Sequence, residues 1–449
     1  MAFIHELKNN PQKSVKTGLI GLLFIALGIF TSALGPALLD LQLLSDTTIS
    51  RIAFLLPVRS FGYAIGSVIA GILGDMVDHQ PLIIGSTILM TTSMFLFPLF
   101  SHINVMYVLI ALAGLSSGCI DCIGNCWIIH IWGKENPPFM QIIHFMYGLG
   151  ALIAPFLVEP FLLNKEVDDL EIHTSNSTIF PDVAAANYLM IHWPFIIGST
   201  YCLLVLALVV LNYILYPDNP VHPSRLRKSD NKDVVECGKK DKFQLNEPLS
   251  GNVKIMVIVI ASVCMHAYVG LEISFGSLLT PFAVKSDLNL TKSQGSFITG
   301  SYWATYTFLR IFTLVLIVYL PCRTLLIGDF IIIMFSNCIL VPFANSHEWA
   351  LWVGSSLMGL GCSSVFATMF GFVEQLTPIT ARITAGFMVA ACAGEFVIPL
   401  VVSQYLEGWP PIFLWIVLLY STIAFACVIG LVFFQYRLLT KQKFRPTSS

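Results

Sequence analysis

Charge is what this sequence lacks. Asp, Glu, Lys and Arg make up only 11% of its 449 residues, less than half the roughly 25% that a soluble domain carries. A water-facing surface cannot be built from so few, which excludes a soluble enzyme and a disordered scaffold. There is no excess of positive charge either. Lys and Arg number 24 against 26 Asp and Glu, so the phosphates of a nucleic acid find no basic field. No His-Glu-x-x-His motif occurs, and the polar groups are scattered over separate hydrophobic runs rather than gathered into a catalytic set, so the chain is not expected to be an enzyme. Cys119 and Cys122 form a lone Cys-x-x-Cys with no second pair to complete a metal site.

What the chain does have is hydrocarbon. Apolar residues account for 56% of it, and its mean hydropathy is +0.79. Crossing about 30 Å of bilayer core takes roughly 20 mostly apolar residues in a helix. Twelve such runs are predicted, at 17–39, 52–74, 82–101, 104–132, 138–163, 189–216, 252–283, 294–320, 323–344, 348–373, 380–406 and 409–436. They are continuous rather than alternating, which argues against a β-barrel. The first follows Lys8, Lys13 and Lys16, is too long for a cleaved signal peptide, and is expected to be retained. The expected fold is an all-α membrane protein of twelve transmembrane helices in two six-helix halves. The halves are residues 1–216 and 251–449, and a charged cytoplasmic linker at 217–250 joins them.

Lys and Arg set the orientation. With the N-terminus inside, 18 of the 24 fall in cytoplasmic segments and four in outer loops, the positive-inside pattern. All 11 cysteines then lie in spans or on the cytoplasmic side, leaving no disulfide framework. The two glycosylation sequons, at Asn176 and Asn289, fall in outer loops. A multi-pass protein with both termini in the cytoplasm is expected.

The halves share short matches. Gly150 precedes Pro155 by five residues in span 5, as Gly394 precedes Pro399 in span 11, and Arg59-Ser-Phe61 in span 2 matches Arg310-Ile-Phe312 in span 8. Matches at corresponding helices point to parallel six-helix repeats, with a solute site between them near the midplane. Gly66, Ala70 and Gly74, and again Gly386, Ala390 and Gly394, recur every four residues, as close helix packing requires.

Ionisable groups at bilayer depth are costly, so they mark function or fixed pairs. The mid-span set is Arg59, Asp121, His144, His266, Glu272, Arg310 and Glu395. Two arginines face three carboxylates, an excess that a bound cation, a proton or Arg–acid pairing would relieve. Helical spacing puts Gly114, Gly118, Asp121 and Asn125 on one stripe and Gln141, His144 and Gly148 on a second. It aligns Tyr268, Glu272 and Gly276 on a third and Tyr302, Tyr306 and Arg310 on a fourth. A sugar site needs amides and carboxylates for hydroxyls, aromatics for ring faces and glycine for close approach. Asp121, Asn125, Gln141, His144, Tyr268, Glu272 and Tyr306 are therefore candidate solute ligands. Arg59, Arg310 and Glu395 are candidate ion-coupling or charge-pairing groups.

Two patterns carry a family resemblance. Gly71-x2-Gly74-Asp75, after span 2, is similar to the major facilitator loop signature, with Met76, His79 and Gln80 where basic residues are usual. Gly71, Asp75 and Arg382, the last at the start of span 11, are candidate gating residues. Gly118-Cys-Ile-Asp121-x3-Asn125, Trp132-Gly133, Pro138-x2-Gln141-x2-His144-Phe145 and Gly150-Ala-x2-Ala-Pro155 together resemble the sodium-dependent glucose transporter 1 group, which includes major facilitator superfamily domain-containing protein 4. Gly270-x-Glu272-x-Ser274-x-Gly276, Trp303-x6-Arg310 and Gly394-Glu395-x3-Pro399 support it.

The resemblance implies a plasma-membrane hexose transporter working by alternating access, either facilitative or coupled to Na+ or H+, with no resident cofactor. By its motif, Asp121, Asn125, Gln141 and His144 serve in the first half, and Glu272, Arg310 and Glu395 in the second. The partners expected are a small polar solute and the bilayer, with no nucleic acid, and the chain is expected to be a monomer. The alternative is a facilitator fold that does not transport and acts as a receptor or interaction protein.

Overall fold

In the computed structural model, residues 10–74, 76–133, 136–163, 190–217, 251–377 and 381–443 are described. They form twelve helical spans. The first six are α1 Pro11–Leu44, α2 Ile49–Leu73, α3 His79–Leu99, α4 Ile103–Trp132, α5 Asn136–Val158 and α6 His192–Leu215. The second six are α7 Gly251–Lys285, α8 Lys292–Tyr319, α9 Cys322–Phe343, α10 Glu348–Leu376, α11 Ala381–Tyr405 and α12 Ile412–Lys443. Each is a helix because hydrocarbon offers no water to free N–H and C=O groups, so the chain must satisfy them within itself. Eleven of the twelve are long and apolar enough to cross a membrane. The exception is α8, whose first half, KSQGSFITGSYWATYT, is rich in small and hydroxyl side chains. Two interruptions escape the sequence pattern: α2 pauses at Phe54, and α10 breaks at Ser363 and Ser364.

The contacts repeat. α1 packs on α5 and α6, α2 on α4, and α3 on α4 and α6. Six helices later, α7 packs on α11 and α12, α8 on α10, and α9 on α10 and α12. Between the two sets, α5 meets α8, α2 meets α11 and α1 meets α7. Apart from Pro217, the linker at 217–250 lies outside the described residues.

Missing side chains make the seams. A Cβ on Gly150 would stand 2.1 Å from the Ile25 carbonyl oxygen, and one on Gly394 2.0 Å from that of His266. The paired Gly-x4-Pro motifs thus mark the same close approach, α1 to α5 and α7 to α11. The Arg-x-Phe match is different. Arg59 lies ten residues into α2, whereas Arg310 lies 18 into α8, a difference in depth of about 12 Å at 1.5 Å per residue. Packing confirms the offset. A Cβ on Gly114 would meet the Arg59 carbonyl at 2.1 Å, and one on Gly359 the Tyr302 carbonyl at 2.2 Å, so Tyr302 stands where Arg59 does.

The tightest seam gives a direct test. A Cβ on Gly66 would lie 1.9 Å from the Leu115 carbonyl oxygen, while one on Gly71, a turn further along the same helix, would meet nothing within 4 Å. Gly66→Val is expected to push α2 off α4 and cost roughly 3 kcal/mol or more. Gly71→Val is expected to leave the thermal midpoint within a degree or two of wild type. Melting curves of the two purified variants make the comparison.

Candidate solute and coupling site

α1 begins at what we term the near end of the bundle and finishes at the far end. At the far end the two helix sets are bolted together. Lys292 of α8 pairs with Asp40 of α1, whose second oxygen accepts the Leu163 N–H at 2.9 Å. Ser293 donates to Glu159, and the Ile49 N–H reaches Glu407 at 3.4 Å. One turn deeper, the Ser296 hydroxyl donates to the Pro155 carbonyl at 2.8 Å, and the Phe156 ring lies against Gly300.

Nearer the middle, two arginines bridge the sets. Arg59 on α2 pairs with Glu395 on α11 at 3.4 Å, and Ser60 donates to the same carboxylate oxygen at 3.1 Å. Arg310 on α8 donates from Nη1 to the His144 carbonyl of α5 at 2.9 Å and from Nε to the Ser363 carbonyl at 3.2 Å. The second bond uses a carbonyl released by the break in α10. Tyr268 uses the other, donating to the Cys362 carbonyl at 2.6 Å. The Arg310 guanidinium lies 4.8 Å from the Tyr306 ring centre, and the Tyr306 hydroxyl donates to Glu272 at 2.5 Å.

A separate polar group sits between α2 and α4. Asp121 accepts the Tyr63 hydroxyl and, at 3.3 Å, the Asn125 amide. Both donors are neutral, and the Asn125 Oδ1 is buried with no hydrogen-bond partner. Phe24 of α1 packs against Gly124 of α4 and edge-on against the His144 ring of α5 at 5.7 Å, so α4 and α5 flank one aromatic. On its other side His144 faces Phe366 of α10 at 6.3 Å. Asp121, Asn125, Gln141 and His144 are each half-buried.

The structure divides the residues singled out in the sequence. Asp121 and Asn125 bond each other beside Tyr63 and His144 packs on Phe24, whereas Glu272, Tyr268, Tyr302 and Tyr306 are only 5%, 0%, 0% and 1% exposed and bond one another or the broken helix. His266 holds α7 to α11 through the Ala390 carbonyl at 3.1 Å. Gly71 is exposed. Asp75, Asn176 and the Arg382 side chain lie outside the described residues. Asn289 is exposed in the far-end turn between α7 and α8, with a φ of 47°. Gly114-Leu-Ser-Ser-Gly118 has the spacing of a hydrolase nucleophile turn, yet it lies mid-helix, with Ser116 buried and bonded to the Ala113 carbonyl at 2.9 Å. No group of three or more His, Cys, Asp or Glu able to hold a metal is found among the described residues.

Sequence reasoning missed Tyr63, the hydroxyl that meets Asp121, and Asp329, a buried acid seven residues into α9 that accepts the Ser364 hydroxyl at the α10 break. A mid-span carboxylate was the available signal for Asp329. Nothing in the spacing of α2 pointed to Tyr63.

The paired six-helix contact pattern, the polar centre and the bolted far end describe a transporter architecture. The sequence model of the Major Facilitator Superfamily matches residues 19–277. The chain belongs to that superfamily. It is 28% identical to sodium-dependent glucose transporter 1 of Xenopus laevis, over 92% of this chain and 80% of that one. It is 26% identical to the Homo sapiens protein of the same name, over 93% and 78%. Major facilitator superfamily domain-containing protein 4A of Xenopus tropicalis is 22% identical over 86% and 84%. In three dimensions this facilitator resembles the E. coli fucose:proton symporter FucP, with a TM-score of 0.62 at 16% identity, covering 94% of this chain and 99% of that one. The nucleoside transporter NupG gives 0.61 at 12% identity over 94% and 98%. The chain is a multi-pass membrane transporter of this superfamily.

Proposed function

We propose that this facilitator carries a hexose or a related small polar solute across the plasma membrane by alternating access, coupled to Na+ or H+. One observation carries the reading most directly. The Asn125 Oδ1 is a buried acceptor without a donor, next to an acid whose partners are neutral. An unpaired acceptor is costly unless something completes it, and a sugar hydroxyl would. The Asp121 carboxylate beside it is free of any cationic partner among its bonds, and so is open to a proton or a sodium ion. Gln141 and His144 supply further polar surface on α5, the His144 ring edge-on to Phe24, and the tyrosines of α7 and α8 act as scaffold for the bridge at Arg310.

The relatives support both parts. Five of the proteins that this chain resembles are named for glucose transport dependent on sodium, and a structural neighbour is named a fucose:proton symporter. By the positive-inside asymmetry the near end is cytoplasmic. On this reading the far-end bolts close the outer side, and the six-helix units 1–216 and 251–449 rock about α2–α11 and α5–α8.

The test is uptake into proteoliposomes of a labelled hexose panel, with a sodium gradient, with a proton gradient and with neither. Asn125→Leu removes the unpaired oxygen at similar volume together with the amide bond to Asp121, and is expected to lower uptake at least tenfold at a cost of about 1–3 kcal/mol in stability. Wild-type uptake by that variant removes Asn125 from the solute site. If no sugar is taken up and none shifts the melting temperature, the transport reading fails in favour of a non-transporting receptor.

A further inference from the structure

The seam between α5 and α8 joins the two helix sets from the far end inward. Ser296 bonds the Pro155 carbonyl, the Phe156 ring covers Gly300, and Arg310 bonds the His144 carbonyl. One turn on the far side of Arg310, Thr307 closes against Gly148 of α5, where a Cβ would stand 3.0 Å from the threonine Oγ1. That hydroxyl is an exception on its helix. Thr307 is 4% exposed, and its Oγ1 has no hydrogen-bond partner. Every other serine and threonine of α8 has one. Ser293 and Ser296 bond across the seam, and Thr299, Ser301, Thr305 and Thr313 bond carbonyls three or four residues back.

Bonding to a carbonyl one turn back is how a threonine satisfies itself within a helix. Thr307 does not do so, and a buried hydroxyl left unpaired costs free energy for as long as the seam is shut. The cost belongs to this seam in particular. Trp303 Nε1 of α8 is also unpaired, but it lies against Gly276 of α7, within the same six helices, and a parting of α8 from α5 leaves it in place. Water entering between α5 and α8 from the far end would give the Thr307 hydroxyl the partners it lacks. The composition of α8 suits such wetting. Its first half is rich in hydroxyl side chains, and among the described spans it alone falls short of membrane-crossing hydropathy.

We infer that Thr307 is a built-in bias against the state in which the far end is closed, an inference that rests on the alternating-access reading above. With the seam shut its hydroxyl is dry and unpaired, and with the seam open it is hydrated. The difference keeps the closed state from becoming a trap. Arg310, one turn deeper, holds α8 to α5 where the parting ends. Valine has the shape of threonine and reverses the bias twice over. It removes the unpaired hydroxyl from the closed seam, and it puts a methyl group into water when the seam opens.

Thr307→Val in the full-length protein tests this, with Ser296→Cys as the reporter of the seam. Ser296 is fully buried, so a membrane-impermeant maleimide added outside intact cells reaches a cysteine there only when α5 and α8 part. The protein without Ser296→Cys gives the blank. Adding Thr307→Val is expected to slow labelling about fivefold or more, the factor that one unpaired hydroxyl represents, and to leave the melting temperature at or above that of the reporter alone. Thr305→Val is the control. Its hydroxyl faces Gly359 of α10 in the same six helices, so the labelling rate is expected to stay as it was. Equal rates with and without Thr307→Val overturn the proposal, and so does equal slowing by Thr305→Val. A reporter that never labels in either background means that the seam stays shut, which removes the alternating-access reading and this bias with it. Should Ser296→Cys fail to fold, deuterium uptake by the amides of 292–300 reads the same opening, and Thr307→Val must lower it.

Discussion

Arg310→Ala is expected to abolish uptake and to destabilise the folded protein by about 3–5 kcal/mol, the cost of stranding a buried charge. Arg310 is 8% exposed and holds three things at once: the His144 carbonyl on α5, the Ser363 carbonyl at the break in α10, and the ring of Tyr306, whose hydroxyl is committed to Glu272. Its charge acts on Glu272. Without it, Glu272 is a buried carboxylate faced by the neutral hydroxyls of Tyr306 and Tyr268. The second-site variant separates the two losses. Adding Glu272→Gln to Arg310→Ala removes the stranded charge and is expected to restore most of the thermal midpoint. Uptake stays absent, since the hydrogen bond from Arg310 that ties α8 to α5 is gone. Arg310→Lys keeps the charge but has no fork to reach both carbonyls, so intermediate stability is expected. If Arg310→Ala melts as wild type does, the bridge is ornamental and Glu272 is stabilised by other means.

Asp121→Asn should leave the protein folded and remove ion dependence from transport. The amide oxygen of asparagine can still accept the Tyr63 hydroxyl, so the α2–α4 contact persists. What is lost is the negative charge and the place for a proton or sodium ion. Uptake driven by an ion gradient is expected to fall at least tenfold, while exchange of solute across the bilayer without a gradient falls less. Flux measured with and without each gradient reads the difference. Ion-driven uptake at the wild-type rate in Asp121→Asn would move the coupling role elsewhere, and Asp329, a buried acid that accepts the neutral Ser364 hydroxyl, is next in line.

Much of the fold was legible in the sequence. Eleven of the twelve spans follow from one constraint, that a helix crossing hydrocarbon needs about 20 apolar residues, and the observed helices coincide with the predicted runs to within a few residues at most ends. The larger departures have simple causes. α1 starts at Pro11 rather than at residue 17 because its polar first turn continues the helix beyond the apolar run. The break in α10 was invisible because Cys362, Ser363 and Ser364 are ordinary span residues, and what stabilises the break lies on other helices: Tyr268, Arg310 and Asp329.

The site was legible only as a set of chemical types. Scarcity of charge marked Arg59, Asp121, Glu272, Arg310 and Glu395 as residues that need partners, because each is expensive at bilayer depth. Which partner each takes was beyond reach. Arg59 meets Glu395 across 336 positions of sequence, Lys292 meets Asp40 across 252, and Tyr63 meets Asp121 across 58. The matched Arg-x-Phe triplets even suggested equivalent roles for two arginines that sit at different depths.

The membrane, the number of spans and the short list of polar residues could thus be read from the chain alone, because they depend on local hydropathy and backbone satisfaction. Helix packing decided which charges cancel, which acid is left with neutral partners, and which tyrosines are sealed in a scaffold. Coulomb energy and hydrogen bonding depend on distance in space, and distances between helices are set by glycine seams that no single span can report.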